Sequence, residues 1–177
     1  MIRAFRNTYD YNPEIYQNGG WIEDEKHEGD SFRRQIIDSA VESPGTAEEA
    51  PWLLDQFIRD NPTYLAGGGG HVLFVALDEE ARLQGYREVV WDGASEVESK
   101  YTWVLPSQRG NGVGTRLDQA LYDVFGPTIS VYLWARDGKA HSFWAKRGYL
   151  DTGETKDVQE NGKELRLHRM KKITLRM

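Results

Sequence analysis

The chain has 177 residues, 39% of them hydrophobic, with 22 basic against 28 acidic side chains, enough for one α/β domain with a real core and too few for two. It has no run of about 18 apolar residues to cross a membrane, no apolar block of the signal-peptide kind in its start MIRAFRNTYDYN, and no cysteine for disulfide or thiolate chemistry. A cytoplasmic location is therefore expected, and the net charge of −6 disfavours nucleic acid, whose phosphates call for a basic footprint.

Ile2 to Phe5 reads as a short first strand, and the turn-rich stretch Tyr9 to Gly20 as irregular. The acidic run Ile22 to Asp30 reads as solvated loop, although it could attract a cationic substrate; its lone His27 is a poor metal ligand. Asp30 or Ser31 can N-cap a helix that keeps Phe32, Ile36, Ile37, Ala40 and Val41 on one face. A second helix opens at Thr46-x-x-Glu49 or at Pro51, buries Leu53, Leu54, Phe57 and Ile58, and stops at Asn61-Pro62. After the loop Gly67 to Gly70 comes a three-strand meander. Its strands are His71 to Leu77, Arg82 to Trp91 with Gly85 marking a bulge, and Ala94 to Leu105 beyond the Asp92-Gly93 turn. A helix from Gly112 to Phe125 crosses to the strand Thr128 to Ala135, which should lie parallel to the strand ending at Leu105. A short helix, Lys139 to Arg147, and a hairpin around Asn161-Gly162 complete the chain.

The most informative stretch is Tyr101 to Tyr122. A strand meets Pro106, which has no N–H to continue a ladder. Glycines follow at 110, 112 and 114, and then Leu117, Ala120, Leu121 and Val124 fall on one helical face. Glycines between a strand and a helix let bare backbone N–H groups converge on an anion, with the positive end of the helix dipole behind them. No Lys stands in the turn, so it is not a P-loop, and the third glycine comes one residue too early for a dinucleotide fingerprint.

What remains, Val104-x-Pro106 followed by Arg109-Gly110-Asn111-Gly112-Val113-Gly114, resembles the acetyl-CoA loop of the GNAT-type N-acetyltransferase superfamily. The hairpin VALDEEARLQGY, the stretch Ala140 to Tyr149 and the terminal strand closing on Arg169-Met170-Lys171-Lys172 are similar to further patterns of that family, in the same order. The resemblance covers nearly the whole chain. It implies one domain over residues 1–177, an α/β GNAT fold with a mixed central sheet and flanking helices. The acceptor-side helices would fall at about 30–60 and the acetyl-CoA core at about 71–177.

The implied activity is acetyl transfer from acetyl-CoA to a primary amine by direct attack in a ternary complex; a non-catalytic acyl-CoA-binding or regulatory module on the same fold is the alternative. The backbone of Arg109, Gly110, Asn111, Gly112, Val113 and Gly114 would hold the pyrophosphate, with Thr115 adding a hydroxyl. Val104 would pair with the pantetheine arm and polarise the acetyl carbonyl. Phe143 would pack beside the arm, and Asp137 stands where the family often has a cofactor-contacting Asn. Trp144 replaces the Tyr that commonly acts as general acid, leaving Tyr149 as the candidate carried here, with Tyr132 and Ser142 also at hand.

An amine of pKa about 10.4 is neutral in only about 1 molecule in 2,500 at pH 7, so a base is needed. Glu98, eleven residues before Arg109, matches the spacing of the strand glutamate used by some family members, and strict alternation would put it on one side with Glu96, Lys100 and Thr102. No metal is expected. The expected partners are acetyl-CoA and a small-molecule or protein amine, without membrane or nucleic acid, and a homodimer is compatible with the resemblance.

Overall fold

The His71 to Leu77 run is apolar at nearly every position, as a strand covered on both faces must be. It forms the middle of the sheet. The computed structural model describes residues 1–7, 13–29, 31–32, 34–35, 70–160 and 162–173. Its strands are β1 (Ile2–Asn7), β2 (Pro13–Gln17), β3 (Gly20–Glu23), β4 (Gly70–Leu77), β5 (Leu83–Trp91), β6 (Glu96–Val104), β7 (Ser130–Arg136), β8 (Leu150–Glu160) and β9 (Lys163–Ile173). Among the described residues, the helices with both ends described are α1 (Val113–Phe125) and α2 (Lys139–Ala145). Among the described residues the strands join one sheet in the order β3-β2-β1-β4-β5-β6-β7-β9-β8. Every neighbouring pair is antiparallel except β6 with β7, which the α1 crossover makes parallel.

The sheet has two differently used faces. Val72, Phe74, Ala76, Val89, Val97, Val131, Leu133 and Ala135 pack with Val113, Leu117 and Leu121 of α1 and Trp144 of α2. On the opposite face Leu73, Val75, Leu77, Leu83 and Tyr86 pack with Phe5 and Phe32, and Tyr101 and Trp103 lie against them. No helix among the described residues is long and apolar enough to cross a membrane.

Three expectations are corrected. The Tyr9 to Gly20 region is not irregular throughout: β2 and β3 form a hairpin, turned by Asn18 and Gly19 at φ 53° and 85°, the backbone an Asn-Gly turn favours. The helical turn near residue 30 begins at Glu28, ahead of Asp30. The buried Asp24 accepts the Glu28 and Gly29 N–H groups at 3.1 Å each, capping the turn from within a run read as solvated. The third concerns β6. Val89 pairs with Ser99 but Glu88 with Tyr101, so Lys100 is an extra residue and strict alternation breaks there. Glu98 therefore shares a face with Tyr101 and Trp103, while Thr102 joins Ser99 on the other, their hydroxyls 3.4 Å apart. The rest of the helix begun near residue 30 and the helix expected from Thr46 to Asp60 lie outside the described residues.

Gly85 has a steric reason. A Cβ there would lie 2.6 Å from the Trp103 carbonyl oxygen, 3.1 Å from Val104 Cα and 3.2 Å from Val113 Cγ1, so β5, β6 and α1 meet at this point. Gly85→Ala should lower stability by about 1–3 kcal/mol, as overpacking does, read from the midpoint of urea unfolding.

Candidate active site

β6 and β7 run side by side only from Glu96–Ser130 to Ser99–Leu133. Beyond that point β7 continues along β9 to Arg136, while β6 follows β5 to Val104. The two central strands diverge into an opening. The Leu105 N–H donates to the Gln84 carbonyl at 3.0 Å. In the antiparallel alternation this makes Gly85–Val104 a non-hydrogen-bonded pair, so Val104 turns its own N–H and C=O away from β5, toward that opening. Its carbonyl accepts the Arg109 Nε–H at 3.1 Å, and the Arg109 guanidinium lies 4.8 Å from the Trp103 ring centre.

The glycine stretch begins where β6 ends. Pro106–Gln108 make one 3-10 turn, Gly110 and Gly112 take φ 85° and 74°, and Gly112 is the N-cap of α1 with no side-chain cap. An α-helix leaves its first N–H groups without intrahelical partners, and a glycine cap leaves them uncovered. Arg116 Nη1 donates to the Asn111 carbonyl at 3.1 Å and its Nη2 to Gln84 Oε1 at 2.9 Å. Gly114 is required by packing as well: a Cβ there would be 2.9 Å from Phe143 Cζ on α2. Thr115 Oγ1 accepts a hydrogen bond from Arg147, whose guanidinium also lies 4.6 Å from the Phe143 ring centre. The fold thus gathers Val104, the residues 109–115 and Phe143 at one end of the opening. Asp137 follows the end of β7 with a 69% exposed side chain. A recess of about 550 Å³ lies around Met1, Asp78, Arg82, Gln84 and Arg116, where β4 ends and β5 begins.

Glu98 stands on the face away from α1, 41% exposed, with Lys100 Nζ 2.8 Å from its Oε2. In the same cross-strand row are Val90 and His71 on one side and Tyr132 on the other. The neighbouring row holds Glu88, and the buried His71 and Glu88 meet at 2.9 Å through His71 Nδ1. His71 Nε2 is buried and has no hydrogen-bond partner among the described residues. The sequence shows no local sign of this pair, because its two members lie on different strands.

A second group missed from sequence is buried on the α1 face. Arg87, fully enclosed, donates to Asp118 Oδ1 at 2.7 Å, Tyr149 OH at 3.1 Å and Ser99 Oγ at 3.1 Å. The Tyr149 hydroxyl donates to Asp118 Oδ1 at 2.7 Å, and Lys172 Nζ reaches Asp118 Oδ2 at 3.3 Å. Trp144 stacks over the Arg87 guanidinium at 4.9 Å. Burial alone pushes the Asp118 carboxyl up, but the Arg87 charge and the hydrogen bonds from Arg87 and Tyr149 outweigh it and hold the carboxyl below its ordinary range. Burial raises Tyr149 above the usual phenol value, and its proton is already committed to Asp118.

No family model and no curated protein sequence matches the chain. Solved structures do. An aminoglycoside 6'-N-acetyltransferase complexed with coenzyme A superposes with TM-score 0.57 at 17% identity, covering 86% of this chain and 96% of that one. The spermidine/spermine N-acetyltransferase SpeG of Vibrio cholerae, in mutant forms, gives 0.55 at 19% identity, over 84% and 91% of the two chains. A GCN5-related N-acetyltransferase from Rhodopseudomonas palustris gives 0.54 at 20% identity, again over 84% and 91%. The architecture of this chain is the GNAT N-acyltransferase fold.

Proposed function

We propose that the chain transfers an acetyl group from acetyl-CoA to a primary amine by direct attack within a ternary complex. The observation that carries this reading is the opening between β6 and β7, with the uncapped start of α1 at one end and the Val104 N–H turned into it. A pantetheine arm, extended and carrying amides, would lie there as an added strand. Its pyrophosphate would sit on the backbone of Arg109 to Gly114, with Thr115 beside it, Phe143 along its flank and Asp137 at the far side. The Val104 N–H is aimed where charge develops as the amine nitrogen bonds the thioester carbon and the C–S bond breaks. The likeness to acetyltransferases acting on aminoglycosides and polyamines supports an amine as acceptor.

Two groups on the face opposite α1 can take the amine proton: Glu98, reached directly or through water, and the His71–Glu88 pair through His71 Nε2. Glu98 is the base in this reading because its carboxylate is open to solvent, whereas His71 Nε2 is buried. The departing thiolate, of pKa about 8.5, leaves without a dedicated acid, since the Tyr149 proton is held by Asp118. Glu98→Gln should lower kcat/KM by about 10²–10⁴-fold while acetyl-CoA affinity stays unchanged; an unaltered rate would move the role to His71.

The test is release of free thiol from acetyl-CoA in the presence of monoamines, polyamines, aminoglycosides and peptides. Turnover with any of them supports acyl transfer. Cofactor binding without turnover across the panel supports the non-catalytic module.

A further inference from the structure

On the outer part of the sheet, beside Asp137 at the end of β7, three groups from three elements converge. His141 comes from α2, Asp151 from the start of β8 and His168 from the middle of β9. His141 Nε2 lies 3.1 Å from Asp151 Oδ2 and His168 Nδ1 lies 3.0 Å from the same oxygen. All three atoms are within 4.8 Å of one another, and the imidazole centroids are 5.1 Å apart with the rings nearly perpendicular.

We infer that His141, Asp151 and His168 form a binding site for a divalent transition metal of the zinc class. A tetrahedral ion with ligands at about 2.0–2.1 Å holds its ligand atoms about 3.3 Å apart, and two edges of this triangle are already near that spacing. The set of two imidazoles and one carboxylate suits zinc, cobalt or nickel rather than calcium or magnesium, which take oxygen. Asp151 is anchored through its other oxygen, since Oδ1 accepts the Gly153 N–H at 2.7 Å and leaves Oδ2 to face the two rings. On the far side of His168, Asp137 Oδ1 comes within 2.8 Å of Nε2, though bent away from hydrogen-bonding alignment. A modest rotation of the exposed Asp137 side chain brings it into line as the carboxylate that orients a metal-bound imidazole. The three side chains are 20–35% exposed, so an ion reaches them from solvent and the fourth position stays open to water. The ion would tie α2 to the β8–β9 hairpin. This inference does not depend on acyl transfer.

The experiment uses the tag-free full chain, stripped with chelator and titrated with zinc by calorimetry and with cobalt(II) by visible absorption. One ion per chain and a four- or five-coordinate cobalt spectrum are expected. His141→Ala, His168→Ala and Asp151→Asn should each weaken binding beyond the ~10–100-fold loss that outer partners produce, and His27→Ala should leave it unchanged. Because a variant can misfold, the imidazole nitrogens of the wild-type chain are followed by NMR as zinc is added, and those of His141 and His168 should shift together. No zinc binding, or binding indifferent to His141 and His168 in these measurements, would show a hydrogen-bonded trio without an ion and overturn the inference.

Discussion

Replacing Arg87 with methionine should destabilise the chain by about 3–5 kcal/mol at pH 7, the loss expected when one partner of a buried ion pair is removed. Arg87 has 0% exposure and is the cation nearest Asp118, so the variant strands a buried carboxylate whose remaining charged contact is Lys172 at 3.3 Å. The phenol of Tyr149 and the hydroxyl of Ser99 lose a donor as well. The sign of the pH dependence follows. In the wild type the Asp118 carboxyl is held below its ordinary value. Its ionised form therefore contributes stability above the unfolded value of about 3.9, and that contribution is lost as pH falls through the folded one. In the variant burial dominates and raises the carboxyl, so protonation relieves the folded state. The gap between wild type and Arg87→Met should be widest near neutrality and should narrow as the pH is lowered toward 4. Urea unfolding at two pH values measures it. Arg87→Met combined with Asp118→Leu should recover much of the loss, since a buried pair replaced by apolar groups is often neutral. A single variant within 1 kcal/mol of wild type would mean that Arg87 is not the support of the network.

The second large effect is on binding. Gly112→Trp should raise the acetyl-CoA Kd by about 100-fold or more. Gly112 sits at φ 74° with nothing nearer to an added Cβ than Arg116 Nη1 at 3.9 Å. The indole is therefore not blocked by the protein's own atoms and projects beside the start of α1, over the amides assigned to the pyrophosphate. Two hydrogen bonds to a charged group are worth about 1.5–3 kcal/mol each, and each 1.4 kcal/mol is a factor of about ten in Kd. Left-handed backbone at a tryptophan costs roughly 1–2 kcal/mol, so the variant should still fold, which circular dichroism checks before calorimetry is interpreted. Full-strength binding by the folded variant would remove the pyrophosphate from this loop.

The features legible in the sequence are those written in adjacent residues. The strand, Pro106, the spaced glycines and the α1 stripe stand next to one another, and the helical crossover requires β7 to run parallel to β6. What was not legible depends on which strands become neighbours. Lys100 looks like any member of an alternating strand; its status as the extra residue of a bulge is set by how β5 pairs with β6, and that decides which face Glu98 occupies. Arg87 stands between Tyr86 and Glu88 in β5, but its partners Asp118 and Tyr149 are 31 and 62 residues away. His71 with Glu88, and His141 with Asp151 and His168, are likewise joined only by sheet register and helix packing. The β2–β3 hairpin is different, because Asn18-Gly19 is a local turn signal that the aromatic and turn-rich surroundings obscured.

The most direct test of the acyl-CoA reading is the change in backbone amide shifts when acetyl-CoA is added to the isotopically labelled wild-type chain. Saturable shifts largest at Val104 and across Arg109 to Gly114 are the predicted result, because these N–H groups would bond the pantetheine arm and the pyrophosphate. Unchanged amides there, with shifts confined to the recess around Met1, Asp78 and Arg82 or with none anywhere, would contradict it.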